Sequence, residues 1–133
     1  MGRPLARLSA LGAAFFVTGC LNVQSADLFV LTRAGQGGTL TMLVSDGGTI
    51  ACNGRKPQAL SDTLLIQARQ LASDLDKDAK ASLRIARSPS SVYTYTMKLQ
   101  NGTISFPDTA GAQRPELARA EQFALQADQQ VCR

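Results

Sequence analysis

The stretch VYTYTMKLQNGTISF, residues 92–106, decides the fold. Residues 92–99 and 103–106 are rich in aromatic and β-branched side chains, and between them stands Asn101-Gly102, the strongest hairpin signal in the chain. A two-residue turn at that dipeptide pairs Leu99 with Ile104 and Met97 with Phe106. Tyr93 and Tyr95 then share the apolar face, while Thr94, Thr96 and Lys98 face solvent. One buried and one solvated face indicates an antiparallel sheet.

Working toward the amino terminus, two further strand patterns precede this hairpin. Residues 26–33 (ADLFVLTR) alternate and are rich in β-formers, Gly35-Gln-Gly-Gly38 turns the chain, and residues 39–45 make a second strand. The Asp46-Gly47-Gly48 turn reads as a three-residue loop, because that register sets Val44 opposite Ile50 and Met42 opposite Cys52 on one face. After a loop over residues 53–60, Ser61 or Asp62 can cap a helix with Leu64, Leu65, Ala68, Leu71, Ala72 and Leu75 on one side. Lys77 and Lys80 suit its carboxyl end, and Asp74 with Lys77 and Asp76 with Lys80 have helical ion-pair spacing. Residues 81–91 form the longest segment without a clear period.

On the other side of the hairpin, residues 107–114 connect to a final helix that starts at Pro115 and carries the stripe Leu117, Ala120, Ala124, Ala127 and Val131. Cys132 lies beside the end of that stripe. The expected order is β-β-β-α-β-β-α. It describes a single α+β domain over residues 26–133, an antiparallel sheet of about five strands with two helices packed on one face.

Composition narrows the chemistry. The fourteen Lys and Arg include Arg3 and Arg7, so residues 20–133 carry twelve against ten Asp and Glu, a near balance that argues against nucleic acid. Trp is absent and Phe and Tyr are few, leaving little for base stacking. The chain also has no His, which removes Ser-His and Cys-His nucleophile pairs and histidine metal ligation.

Residues 1–7 are short and positive, and residues 8–17 form an apolar run, the profile of a signal peptide. About twelve helical residues rise only ~18 Å, too little for a hydrocarbon core of ~30 Å. The run leads into Val17-Thr18-Gly19-Cys20, which resembles the lipobox of bacterial lipoproteins, with Val where Leu is more usual. The resemblance implies a signal peptide over residues 1–19, a diacylglyceryl thioether on Cys20, often a further acyl chain such as palmitate on its amine, and a tether over residues 20–25. Location on the extracytoplasmic face of a cell membrane follows, since two or three acyl chains anchor stably. Ordinary secretory cleavage after Ser25 is the alternative. With Cys20 assigned to lipid, the remaining two of three cysteines, Cys52 and Cys132, form a pair that oxidises outside the cytoplasm, a structural disulfide rather than a redox or metal site.

Other motifs are weaker. Gly35-Gln-Gly-Gly38 runs into a strand rather than a helix and lacks the Lys-Ser/Thr of phosphate loops, so turn chemistry accounts for it. Asp74, Asp76 and Asp78 imitate the first ligands of an EF-hand loop, but Ala79 and Ile85 replace its glycine and its final glutamate. No G-x-S-x-G or S-x-x-K setting activates a serine, and no catalytic residues, metal or cofactor are assigned.

In its order of elements the body resembles the subtilisin-inhibitor family of secreted actinobacterial protease inhibitors, over residues 28–132. That resemblance implies an inhibitory loop at residues 81–91, with Arg84, Arg87 and Ser88 as its candidate residues. The family braces the loop with a disulfide; here no cysteine lies between Cys52 and Cys132, so the loop is expected to be flexible and easily cleaved. The chain is also similar in layout to small uncharacterised lipoproteins of high-GC Gram-positive bacteria. The expectations are a non-enzymatic envelope lipoprotein that binds another envelope protein or has a structural part, an inhibitor of an extracellular protease, or a carrier of an apolar ligand.

Overall fold

The computed structural model describes Gly2 and residues 27–133; the signal-like segment, Cys20 and the tether lie outside the described residues. Six strands form one antiparallel sheet: β1 (Asp27–Gly35), β2 (Gly38–Ser45), β3 (Thr49–Cys52), β4 (Gln58–Ala59), β5 (Tyr93–Leu99) and β6 (Gly102–Pro107). Their spatial order is β4-β3-β2-β1-β5-β6, so β1 is central and the first and second halves of the chain meet along it. The fold class is α+β, with one strand more than the sequence pattern indicates because two-residue β4 pairs with β3.

Alternation places the core. Phe29 and Leu31 of β1, Met42 and Val44 of β2, Ile50 of β3, Met97 of β5 and Ile104 and Phe106 of β6 all point to one face and are buried. Helices α1 (Asp62–Asp74), α2 (Asp76–Lys80) and α3 (Pro115–Ala127) bury Leu64, Ala68, Leu71, Leu75, Ala79, Leu117, Ala120 and Phe123 in the same core. Phe123 meets Phe29 edge-to-face, with centroids 5.5 Å apart. A 3-10 turn (Asp108–Ala112) leads into α3, and a π-helical turn (Asp128–Cys132) leads out of it. On the opposite face Val30, Thr32, Thr41, Thr94 and Thr96 are half-buried and Leu43 is exposed.

Ser61 is the cap of α1, its hydroxyl accepting the Leu64 N–H at 3.2 Å. The single helix expected after it is in fact two. Leu75, fully buried, keeps its hydrogen bond to Leu71 O, but its ψ flattens to −2° and this kink separates α1 from α2, so three α-helices replace the expected two. Asp76 pairs with Lys80 at 2.9 Å as its spacing predicts, whereas Asp74 pairs with Arg119 of α3 at 3.2 Å rather than with Lys77.

The β2–β3 hairpin has the expected register, Val44 opposite Ile50 and Met42 opposite Cys52, with Gly48 at φ +94° in the turn. The β5–β6 hairpin does not. Leu99 faces Gly102, Met97 faces Ile104 and Tyr95 faces Phe106, so Gln100 and Asn101 form the turn and the pairing is displaced by two residues. A two-residue shift leaves every side chain on its expected face, which is why the buried set is unaffected. Asn101 has no positive φ; its side-chain amide instead donates to Asp76 Oδ1 at 2.7 Å. Gly102 opens β6 where a β-carbon would overlap the Ala79 carbonyl, so its role is to admit the end of α2 against the hairpin.

Gly102→Ala should therefore destabilise the domain by about 2–4 kcal/mol. Urea denaturation checks this; an unchanged midpoint would remove the packing argument.

Candidate functional site

The sheet has two ends with different chemistry. Asp27 starts β1 at one end, beside the turn at residues 46–48 and the turn at Gln100 and Asn101. Eight strand steps away, about 27 Å, lie the turn at residues 35–38, the start of β5 opposite Gly35 and the end of β6 opposite Thr94. The carboxyl-terminal turn lies at this second end, and the candidate inhibitory segment runs toward it, from Leu83 beside Asp78 past mid-strand Ser105 to Ser88 and Ser91 beside Thr109.

Residues 81–91 follow the free edge of β6. Ser105 N–H donates to Leu83 O at 3.0 Å and Ile85 N–H donates to Ser105 O at 2.9 Å, a parallel bridge centred on Arg84. Leu83 and Ile85 pack against the core. Three residues on, Ser88 N–H donates to Ser91 Oγ at 3.0 Å, and the hydroxyls of Ser88, Ser91 and Thr109 lie 3.0–3.3 Å from one another. Val92 N–H then donates to the Asp108 carboxylate, 3.1 Å from Oδ1. Hydrogen bonds thus brace the segment where the sequence, lacking a cysteine, indicates a flexible loop. Only Ala86 and Arg87 stand between the two pinned points. Arg84 and Arg87 are exposed, and Arg87 turns back to donate to Ser91 O at 3.2 Å. Ser88 is half-buried among hydroxyls, with no base beside it in the bonds it makes.

The carboxyl-terminal turn is fastened by several contacts. Cys132 is bonded to Cys52, with α-carbons 5.6 Å apart. Arg55 donates from Nε to Cys52 O at 3.1 Å and from its NH2 group to Cys132 O at 2.7 Å, spanning the cross-link. Arg33 pairs with Asp128 at 3.2 Å, their side chains 17% and 13% exposed, and lies 5.0 Å from the centroid of the Tyr93 ring. Arg133 approaches the same Asp128 oxygen at 3.6 Å. Two clefts flank this turn. One, of about 360 Å³, is bounded by residues 36–40, Asn53 and Arg55; the other, of about 470 Å³, by Tyr93, Tyr95, Glu121 and Leu125. Both include Arg33 and Asp128.

Glu121 is electrostatically unusual. Its Oε1 is buried without a hydrogen-bond partner, and burial, reinforced by the Asp108 carboxylate, pushes its pKa up to about 7. Burial, with the nearby Glu121 charge, also pushes the Tyr95 hydroxyl to about 12. No sequence signal marks Glu121, Arg33 or Arg55, since each depends on what the fold sets beside it. The acidic triplet does not converge: Asp74 meets Arg119, Asp76 meets Lys80 and Asn101, and Asp78 meets Arg114. The groove between α1 and α3, about 270 Å³, is lined by Ile66, Leu71 and Phe123 together with Gln67, Gln70 and Arg119. Among the described residues no helix is long and apolar enough to cross a membrane.

Comparison with protein families, with curated proteins and with solved structures finds no match.

A carboxyl whose folded pKa is raised binds its proton more tightly in the folded state than in the unfolded chain. Its contribution to stability is full below the unfolded value near 4.5 and is lost as pH rises through about 7. Glu121→Gln should flatten that fall and stabilise the domain at pH 8 by on the order of 1–2 kcal/mol, the full shift being reduced by solvent access. Denaturation of both proteins at pH 4.5, 6 and 8 measures this; parallel pH profiles would show that Glu121 ionises normally.

Proposed function

We propose that this chain is a non-enzymatic lipoprotein, anchored through Cys20 to the extracytoplasmic face of a cell membrane, whose domain binds another protein at the end of the sheet remote from the lipid. The observation that carries the reading is the Cys52–Cys132 bond. It takes two of three cysteines into a cross-link suited to an oxidising compartment and leaves Cys20, at the end of the signal-like segment, as the odd one. A tether entering at Asp27 would leave the clefts beside Arg33 toward the other end of β1, whose full length is about 27 Å.

The anchor predicts that the wild-type protein partitions into detergent with a mass increased by acyl chains, and that Cys20→Ser partitions into water. A native amino terminus after Ser25, or detergent partition retained by Cys20→Ser, would remove the anchor.

The bracing of residues 83–92 favours one alternative, inhibition of an extracellular serine protease with Arg84 or Arg87 entering a trypsin-like pocket. Fixed flanks lower the ordering cost of binding, the role a disulfide has in the family that the chain resembles. Titration against trypsin and subtilisin decides it. Slowed hydrolysis at micromolar protein, lost in Arg87→Ala or Arg84→Ala, would establish inhibition; rapid cleavage after either arginine would leave the binding reading.

A further inference from the structure

The sequence leaves Gly35-Gln-Gly-Gly38 as a turn without a function, yet the fold builds a polar wall around it. The 360 Å³ cleft beside this turn is lined by Arg33, Gln36, Thr39, Asn53, Arg55 and Asp128 among others. Its two guanidinium groups are held in place by the protein. Arg55 uses two of its five N–H groups on the carbonyls of Cys52 and Cys132, leaving three without a protein acceptor. Arg33 uses one on Asp128 and is backed by the Tyr93 ring, leaving four.

Of the charged residues that line the cleft, Arg33 and Arg55 outnumber Asp128, which already faces Arg33 and, from the neighbouring cleft, Arg133. The glycines contribute openness: Gly37 and Gly38 have φ of +96° and +110°, and no atom lies within 4 Å of where a β-carbon would stand, so the backbone can be approached from the cleft. Fixed guanidiniums with spare donors, a net positive wall and accessible turn backbone are what an oxyanion requires.

We propose that this cleft binds one oxyanion, the phosphate or carboxylate group of a small soluble ligand. Arg55 and Arg33 donate to it while the cross-link and Asp128 keep them in position. The Cys132 carbonyl that holds Arg55 belongs to the cross-linked turn, so the disulfide supports one of the two arginines. The chemistry does not depend on the anchor. Only the expectation that a bilayer surface is the wrong source rests on that reading.

The test is amide chemical shift on the full chain in neutral detergent micelles, with inorganic phosphate replacing chloride at constant ionic strength. Saturable shifts of residues 36–39 and 53–55, half-complete at on the order of 1 mM, are expected, with acetate moving the same amides more weakly. Arg55→Gln removes charge-assisted donors and should weaken phosphate at least about tenfold. Gln36→Glu, at an exposed turn position, brings negative charge to the cleft without disturbing the clamp and should do the same. Arg69→Gln, which breaks an exposed pair with Asp46 at the other end of the sheet, should change nothing.

Shifts that grow without saturation, that are equal near Arg69, or that survive Gln36→Glu in a folded protein would overturn the site. Phosphatidylglycerol vesicles should leave these amides unmoved. Vesicles acting in place of phosphate would assign the cleft to a lipid headgroup and overturn the soluble ligand, while phosphate binding by a Cys20→Ser protein shown to lack lipid would stand whatever became of the anchor.

Discussion

The bond between Cys52 and Cys132 joins the end of β3 to the last turn of the chain, closing a loop of 80 residues. In the chain-entropy model such a closure stabilises the domain by about 4 kcal/mol, a large share of what a domain this size has. Its local consequences matter as much. The turn it closes presents the Cys132 carbonyl to Arg55, while the start of the same turn, carried by α3, presents the Asp128 carboxylate to Arg33.

The remainder of the fold follows from β1 being central. β1 is antiparallel to both β2 and β5, and the hairpin turns of the sheet fall at one or other of its two ends. Asp27, Asp46, Asp76 and Asn101 gather at the end where β1 starts; Arg33, Arg55, Arg87 and Arg133 gather at the other, against Asp108 and Asp128. The near-neutral totals conceal this polarity, because totals carry no positions.

Bracing of residues 81–91 shows how one requirement can be met in two ways. A disulfide would fix the segment by covalent closure; here β6 offers an unpaired edge, and Ser88, Ser91 and Thr109 offer small hydroxyls at hydrogen-bond distance. Edge pairing also covers the backbone groups that β6 would otherwise expose for association with another strand. Such bonds are individually weak, on the order of 1 kcal/mol each, but they act on a short span with few free torsions.

The sequence by itself determined the α+β class, the inward residues of β2, β3, β5 and β6, a cap at Ser61 or Asp62, the register across Asp46-Gly47-Gly48 and the pairing of Cys52 with Cys132, because each rests on neighbours within a turn or a hairpin, or on counting cysteines. The break at Leu75, the displaced turn at Gln100 and Asn101, the hydrogen-bonded edge segment and the Arg33, Arg55 and Glu121 surroundings were decided only by the tertiary structure. The physical reason is the same in each case. Asn101-Gly102 carries the signal of a tight turn, but Gly102 lies against Ala79 and Asn101 against Asp76, contacts more than twenty residues distant, and these outweigh the local preference that the dipeptide expresses alone.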